Sequence, residues 1–171
     1  ISWTMPRVLS VPEIAEMLEG FASASLRLQG CGFSGVEISG GHGHLFHQFM
    51  SPWSNSREDR YGGDFEGRMR LMVEMVQQIR AACGSDFIIG LKSPGDDGIP
   101  GSIDPALGAG IARHMVATGA LDYICFAQGT HHRTLDMHAP DRNTPPLVYM
   151  GLTRQLRAAV PGIPVIAVGR I

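Results

Sequence analysis

Apolar residues recur along the chain at two different periods, and the periods alternate. Ser10 and Glu13 form a capping-box pattern ahead of apolar positions spaced three and four residues apart, which predicts a helix that ends near Gly30. Short and almost wholly apolar runs are typical of strands that are buried on both faces. Four such runs follow, at 33–38, 87–91, 123–126 and 163–168. The helical period returns between them, so the predicted order is a helix followed by β-α-β-α-β-α-β.

The connecting helices have recognisable starts. Asp64 precedes an apolar helical stripe as a predicted N-cap, and Asp104 followed by Pro105 places an N-cap before a proline at the first helical position. A last helix is predicted over 147–160. Regular alternation of strands and helices indicates a parallel sheet with right-handed crossovers. Such a sheet is either open and doubly wound or closed as a (β/α)8 barrel.

The loops favour the barrel. The long polar loops 39–64, 93–103 and 127–146 all follow strand C-termini, where both architectures place their active groups. An open dinucleotide-binding sheet should carry G-x-G-x-x-G directly after its first strand. The sequence there is Ser39-Gly40-Gly41-His42-Gly43-His44, whose glycines are out of register with that fingerprint. We therefore expect an α/β fold of the (β/α)8, or TIM-barrel, type.

Composition excludes several classes of partner. The chain has 171 residues, is 44% hydrophobic and carries a net charge of −2, which gives no electrostatic footprint for nucleic acid or an anionic membrane. No apolar run approaches the roughly 20 residues that span a bilayer. Three cysteines, Cys31, Cys83 and Cys125, are spaced unlike zinc or iron–sulfur ligands, so we expect buried reduced thiols and a cytoplasmic protein. Small molecules are the expected partners, and an oligomer is compatible with this composition.

Basic side chains collect on the loops that follow the predicted strands. The histidines after the first strand favour substrate contact over metal binding, because no carboxylate lies at ligand spacing and HExxH is absent. We therefore predict no metal site. Lys92 would point into the mouth of a barrel, and Arg170 would act as a phosphate clamp. The candidates are His42, His44 and His47, then Lys92, then the run 131–133, and lastly Gly169-Arg170.

Four segments together resemble the old yellow enzyme family of FMN-dependent NADH:flavin oxidoreductases. They are Gly32 to Ile38, Gly41 to Leu45, Gln48 to Pro52 and Asn55 to Gly63. The similarity is greatest to the branch of 2,4-dienoyl-CoA reductase and trimethylamine dehydrogenase. It implies that residues 1–171 are the central part of one FMN-binding barrel domain, from about strand four to strand seven. We therefore expect a fragment of a longer chain, with which the start at Ile1 agrees.

The resemblance also implies roles for substrate-contacting residues. Ser39 and His42 match the pair that holds the activating oxygen of the substrate. His44 stands where the family usually has the tyrosine that donates a proton. Gly129-Thr130-His131 is similar to the Gly-x-His whose histidine assists protonation in the dienoyl-CoA reductase branch. The predicted catalytic residues are therefore His42, His44 and His131, with Ser39 and His42 binding substrate.

Three residues are implied as cofactor contacts. Lys92 stands where the family has an arginine against the flavin ring. Lysine keeps the positive charge of the arginine but lacks the planar guanidinium that can donate two parallel hydrogen bonds. Gly169 and Arg170 match the residues that bind the FMN phosphate. NADH or NADPH is the implied electron donor. The resemblance further allows a 4Fe–4S cluster and FAD in parts of the parent chain outside these residues.

The implied reaction is reduction of an activated C=C bond in an enone or enoyl thioester. The first alternative is a flavin-dependent amine dehydrogenase or demethylase of the same family, in which electrons flow from substrate to flavin. The second alternative is a non-catalytic barrel homologue, which the departures at Ser39 and His44 allow.

Overall fold

The computed structural model describes residues 7–131 and 133–171. Helices and strands alternate along it as the sequence predicts, except that the predicted loops 39–64 and 127–146 each contain an additional short helix. The elements are α1 Val11–Gly30, β1 Gly35–Ser39, α2 Leu45–Met50, α3 Phe65–Cys83, β2 Ile88–Asp96, α4 Pro105–Ala117, β3 Tyr123–Gln128, α5 Leu135–His138, α6 Met150–Ala158 and β4 Val165–Ile166.

The predicted helix caps are present. The backbone N–H of Ser10 donates to the Glu13 carboxylate at 2.8 Å, and the Glu13 N–H donates back to the Ser10 hydroxyl at 3.4 Å. The side chains of Asp64 and Asp104 each accept a hydrogen bond from the backbone N–H three residues later, both at 2.8 Å. These caps satisfy N–H groups that the first helical turn leaves unpaired.

The four strands form one parallel sheet in the order β1-β2-β3-β4. Ser39 is paired with Lys92, and Lys92 with Cys125, so the loops after the first three strands leave from the same edge. The buried side chains of one sheet face, such as Ile38 and Leu91, belong to the hydrophobic core formed with the helices. This arrangement agrees with the predicted arc of a barrel.

The prediction that the first strand is buried on both faces is wrong. Glu37 and Ser39 are exposed, because an arc of four strands does not enclose the face on which they lie. Glu37 accepts a hydrogen bond from the Tyr123 hydroxyl at 3.1 Å and lies 3.5 Å from the Lys92 ammonium. Its charge is therefore compensated within the sheet.

Other boundaries also differ from the predictions. β2 continues to Asp96, four residues into the segment 93–103 that is predicted to be a loop. The last strand is confined to Val165–Ile166, and α6 begins at Met150 instead of near 147. Cys31 is exposed at the C-cap of α1, which corrects the expectation of three buried cysteines.

Candidate active site

The loops after β1 and β3 lie against each other at the carboxyl edge of the sheet. His42 forms an isolated parallel bridge with Thr130, and the backbone N–H of His131 donates to the His42 carbonyl at 3.3 Å. A Cβ on Gly41 would stand 2.6 Å from the Ala127 Cβ, so only glycine permits this approach. His42 itself has a φ of 63°, which costs a non-glycine residue on the order of 1 kcal/mol.

Four imidazoles meet where these loops touch, and we call them the imidazole row. The Nε2 atoms of His44 and His131 are 3.1 Å apart, so one ring donates to the other. The ring of His131 is 4.4 Å, centre to centre, from that of His138. His138 in turn meets the ring of His42 edge to face at 3.8 Å. The structure thus brings together all three predicted catalytic histidines and adds a fourth.

The two inner rings of the imidazole row, His42 and His138, are held mostly in the neutral form. Burial, together with the neighbouring charges of His138 and Lys92, lowers the pKa of His42 to about 4. Burial also lowers the pKa of His138, with help from His131 and His44. A neutral imidazole carries one N–H donor and one acceptor nitrogen. The inner rings of the row therefore offer single hydrogen bonds at neutral pH.

A cavity of about 280 Å³ lies at the inner end of the row, and we call it the central cavity. His42, Lys92 and His138 line it together with Gly169 and Tyr149. The Nδ1 atoms of His42 and His138 are buried and have no hydrogen-bond partner among the described residues. Buried polar atoms normally have partners, so these two nitrogens are available to a bound ligand.

The backbone at the edge of the central cavity depends on one glycine. Gly169 has a φ of 99°, and a Cβ there would lie 2.2 Å from the Tyr149 ring. Glycine therefore lets the chain pass close to the cavity, as the predicted phosphate contact requires.

A larger cavity of about 380 Å³ lies at the outer end of the row, and we call it the outer cavity. His131 lines it together with Trp53, Ile99 and Thr130. His47, Ser51 and Ser102 form its polar part. No carboxylate is among the side chains lining either cavity in the described part of the chain.

Asp97 lies behind the polar part of the outer cavity and joins it into one network. Its carboxylate is 3.0 Å from His47 Nε2 and accepts hydrogen bonds from the Ser102 hydroxyl at 2.5 Å and the Ile103 N–H at 3.2 Å. The backbone carbonyl of Asp97 accepts from the Thr134 hydroxyl at 2.8 Å. One residue after β2 therefore connects the loop after β1 with the loop after β3.

Two predicted residues lie apart from the imidazole row. Ser39 is exposed and lines a groove beside β1 with Phe21 and His44. Arg170 does not line the central cavity, and its Nη1 donates to the carbonyls of Asp141 and Arg142 at 3.0 and 2.6 Å. His132, from the predicted run 131–133, is outside the described residues.

The sequence patterns do not identify two polar residues of the site, His138 and Asp97. His138 lies in a segment predicted to be loop, and only the short helix α5 turns it toward His42. Asp97 is one of several polar residues in the Gly/Pro/Asp segment after β2. It lies directly after β2, whose end the sequence pattern places too early, so its position at the strand end was not visible in the sequence.

The described residues contain neither a group of three or more His, Cys, Asp or Glu side chains arranged for a metal ion nor a helix long and apolar enough to cross a membrane. The site is therefore built from single polar side chains around two cavities.

A known protein family matches almost the whole chain. The profile of the NADH:flavin oxidoreductase / NADH oxidase family matches residues 2–171. The chain belongs to this family. The family predicted from the loop motifs is therefore confirmed, and the family is one of flavin-dependent oxidoreductases.

Individual relatives differ in the reaction that their names describe. NADH oxidase of Thermoanaerobacter brockii is 40% identical over 116 residues, which cover 68% of this chain and 18% of the relative. N,N-dimethylglycine/sarcosine dehydrogenase of Chromohalobacter salexigens is 34% identical over 162 residues, covering 94% of this chain and 23% of the relative. A solved structure of 2-naphthoyl-CoA reductase with 2-naphthoyl-CoA matches with a TM-score of 0.84 and 25% identity, over 94% of this chain and 24% of that one.

The chain thus spans less than a quarter of the length of these relatives, at 18%, 23% and 24%. The structural likeness confirms the predicted fold class, a partial segment of a TIM barrel.

Proposed function

We propose that this chain belongs to an FMN-dependent NAD(P)H oxidoreductase that reduces a C=C bond conjugated to a carbonyl or thioester. Residues 1–171 are then the central part of its FMN-binding barrel domain, and a cytoplasmic location stays a prediction. The observation that carries the choice of reaction is the charge of the two cavities. Their lining includes Lys92 and several imidazoles but no carboxylate among the described residues.

The central cavity fits a flavin. Lys92 supplies a fixed positive charge, which suits a ring that becomes anionic on reduction. The unpartnered Nδ1 atoms of His42 and His138 match a ligand with several acceptor and donor atoms. At Gly169 the absence of a Cβ lets the backbone lie close to the Tyr149 ring at the edge of the cavity. Arg170 stays a predicted contact of the FMN phosphate, for which its guanidinium would have to leave the backbone carbonyls that it now binds. When bound, FMN supplies hydride transfer between NAD(P)H and the substrate.

The chain's own residues have two tasks in this reaction. His42 donates its imidazole N–H to the carbonyl oxygen of the substrate, where negative charge develops as the double bond is reduced. His44 or His131 then supplies the proton to the α-carbon, because these rings are exposed and can be reprotonated from solvent. Ser39 stays a predicted second contact to the substrate oxygen.

The test uses the full-length protein and its flavin absorbance. NAD(P)H is expected to bleach the absorbance and an enone to restore it. In His42→Gln, bleaching should stay within a few-fold of normal and restoration should slow by about 10²- to 10³-fold, because an oxyanion donor is lost. His114→Gln is the matched control, since His114 lies on α4 beside Glu66, away from both cavities. A colourless preparation that FMN does not reconstitute would contradict the proposal.

Amine oxidation is the second candidate, and the similarity to a dimethylglycine/sarcosine dehydrogenase supports it. The lining argues against it, because a cationic amine would enter beside Lys92, and the carboxylate next to that ammonium, Glu37 at 3.5 Å, is already paired with it. Bleaching of the flavin by an N-methyl amine, without NAD(P)H, would favour this candidate. A folded flavoprotein that turns over neither enones nor amines would indicate the non-catalytic homologue.

A further inference from the structure

The outer cavity shares a wall with the central cavity. His131 lines the outer cavity and contacts His138, which lines the central one. The contact between these two rings therefore forms part of the partition between the two spaces. A substrate whose reacting group lies by His42 has the outer cavity as the adjacent space for the rest of its structure.

The outer cavity has an apolar side and a polar side, on which the two serine hydroxyls have partners and the buried Nδ1 of His47 has none among the described residues. Trp53 is 52% exposed, which leaves a large aromatic face without protein cover. Ile99 adds an aliphatic surface. On the other side, Ser51 and Ser102 are hydrogen-bonded to each other at 3.0 Å, and Ser102 also donates to Asp97. Since these hydroxyls already have partners, the free surface of the cavity favours an apolar group.

The rim of the outer cavity is basic. The guanidinium carbon of Arg133 lies 5.6 Å from the centre of the Trp53 ring, within cation–π range. His131 lines the cavity beside it, and none of its described lining residues is acidic. A group bound against Trp53 would therefore meet a positive charge at its edge.

We propose that the outer cavity is a substrate subsite that holds an aryl group remote from the reacting double bond, with Arg133 binding an anionic substituent on that group. Trp53 supplies the stacking face and Arg133 the charge. The inference rests on the proposed function for the location of the reacting end, and it narrows the substrate class to aryl enones or enoyl compounds that carry a remote carboxylate or phosphate. The chemistry is the same reduction: hydride adds to the β-carbon, a proton adds to the α-carbon, and NAD(P)H is oxidised.

A series of matched probes tests the subsite on the full-length protein. The probes are 4-(3-oxobut-1-enyl)benzoate, its methyl ester, and 2-cyclohexenone, which lacks a remote group. Arg133→Gln is expected to raise KM for the benzoate about 10-fold and to change KM for the ester and cyclohexenone less than twofold. Trp53→Ala is expected to raise KM about 10-fold for both aryl probes and to leave cyclohexenone unchanged. Arg142→Gln is the control, because Arg142 is exposed in the loop after β3 and lines neither cavity.

Equilibrium binding separates this inference from the proposed reaction. The saturated product of the benzoate probe is titrated calorimetrically into the oxidised protein and its variants. Binding that weakens about 10-fold in Arg133→Gln and in Trp53→Ala supports the subsite even if no enone is turned over, in which case the proposed function alone fails. Turnover of cyclohexenone, together with aryl-probe KM and binding that neither substitution changes, overturns the subsite and leaves the proposed function standing. Undetectable binding of the product to the unsubstituted protein also overturns it.

Discussion

Asp97 is the most demanding electrostatic feature of the site, because its carboxylate is almost fully buried. Its side chain is 1% exposed and that of His47 is 4% exposed. Asp97 holds His47 Nε2 at 3.0 Å, the Ser102 hydroxyl at 2.5 Å and the Ile103 N–H at 3.2 Å. Removal of the carboxylate therefore leaves three polar groups without their acceptor in a place that water does not fill.

The expected cost of Asp97→Ala is about 3–5 kcal/mol, because three buried polar groups lose their shared acceptor and each costs roughly 1–3 kcal/mol when left unsatisfied. Asp97→Asn keeps one acceptor oxygen and loses the charge, so we expect a smaller cost of about 1–2 kcal/mol, the scale of one or two hydrogen bonds. Asp86→Ala is the matched control. Asp86 is exposed, and we expect its loss to change stability by less than about 0.5 kcal/mol.

The assay is hydrogen exchange measured by mass spectrometry on the full-length protein. Because Asp97 joins the loops that carry His47 and Thr134, its loss should promote local opening of both loops while α1 stays protected. A cost of 3–5 kcal/mol corresponds to exchange faster by about 10²- to 4 × 10³-fold in Asp97→Ala. Peptides that cover 42–51 and 129–135 report this directly.

A double variant measures the interaction between Asp97 and His47 separately from the other contacts of Asp97. His47→Leu removes the group that Asp97 faces, so Asp97→Ala in that background should cost at least about 1 kcal/mol less than in the unsubstituted protein. Loop exchange within threefold of the unsubstituted protein in Asp97→Ala, or full additivity of the two substitutions, would refute the idea that Asp97 holds the loops together.

Four further outcomes are expected. Folding lowers the pKa of His42 from 6.5 to about 4, so on acidification the unfolded chain takes up a proton before the folded chain does. The free energy of unfolding should therefore fall by up to about 3 kcal/mol as the pH drops from 6.5 to 4. His42→Gln should flatten this part of an acid-unfolding curve. Lys92→Met should weaken FMN binding about 10-fold or more, measured by equilibrium dialysis, whereas Lys92→Arg should bind within a few-fold of normal. Gly169→Ala should lower both thermal stability and FMN affinity, since its Cβ would overlap the Tyr149 ring. Ser10→Ala should cost about 1 kcal/mol in denaturant unfolding through loss of the capping box.

Much of the fold follows from local patterns in the sequence. The caps at Ser10, Asp64 and Asp104 are local signals, and all three are present with side-chain hydrogen bonds. Strand ends were less predictable. β2 runs on to Asp96 through Ser93, Pro94 and Gly95, residues that favour loops by themselves. Pairing with β3 decides their conformation, and that pairing depends on residues about 30 positions away.

The sequence predicts the location and the polar character of the candidate site better than it predicts which residues form the site. The edge of a parallel sheet brings consecutive loops together, so polar residues after separate strands could be expected to meet. Which side chains turn inward depends on loop conformations that the sequence pattern does not encode. His138 enters the site through α5, whereas Arg170, with a φ of 53°, points its guanidinium at the carbonyls of the loop near Asp141.

The imidazole row and Lys92 have different electrostatic roles for a physical reason. Burial lowers the pKa of His42 and that of His138 below the usual value, and repulsion between neighbouring protonated imidazoles adds to this effect. Lys92 keeps a carboxylate within 3.5 Å, at Glu37 on the neighbouring strand, which compensates a charge in a half-buried position. The row can therefore donate and relay protons while Lys92 supplies the fixed charge. Glu37 is not among the described residues that line the central cavity, so Lys92 supplies the fixed charge of that lining and Glu37 offsets part of it from the neighbouring strand.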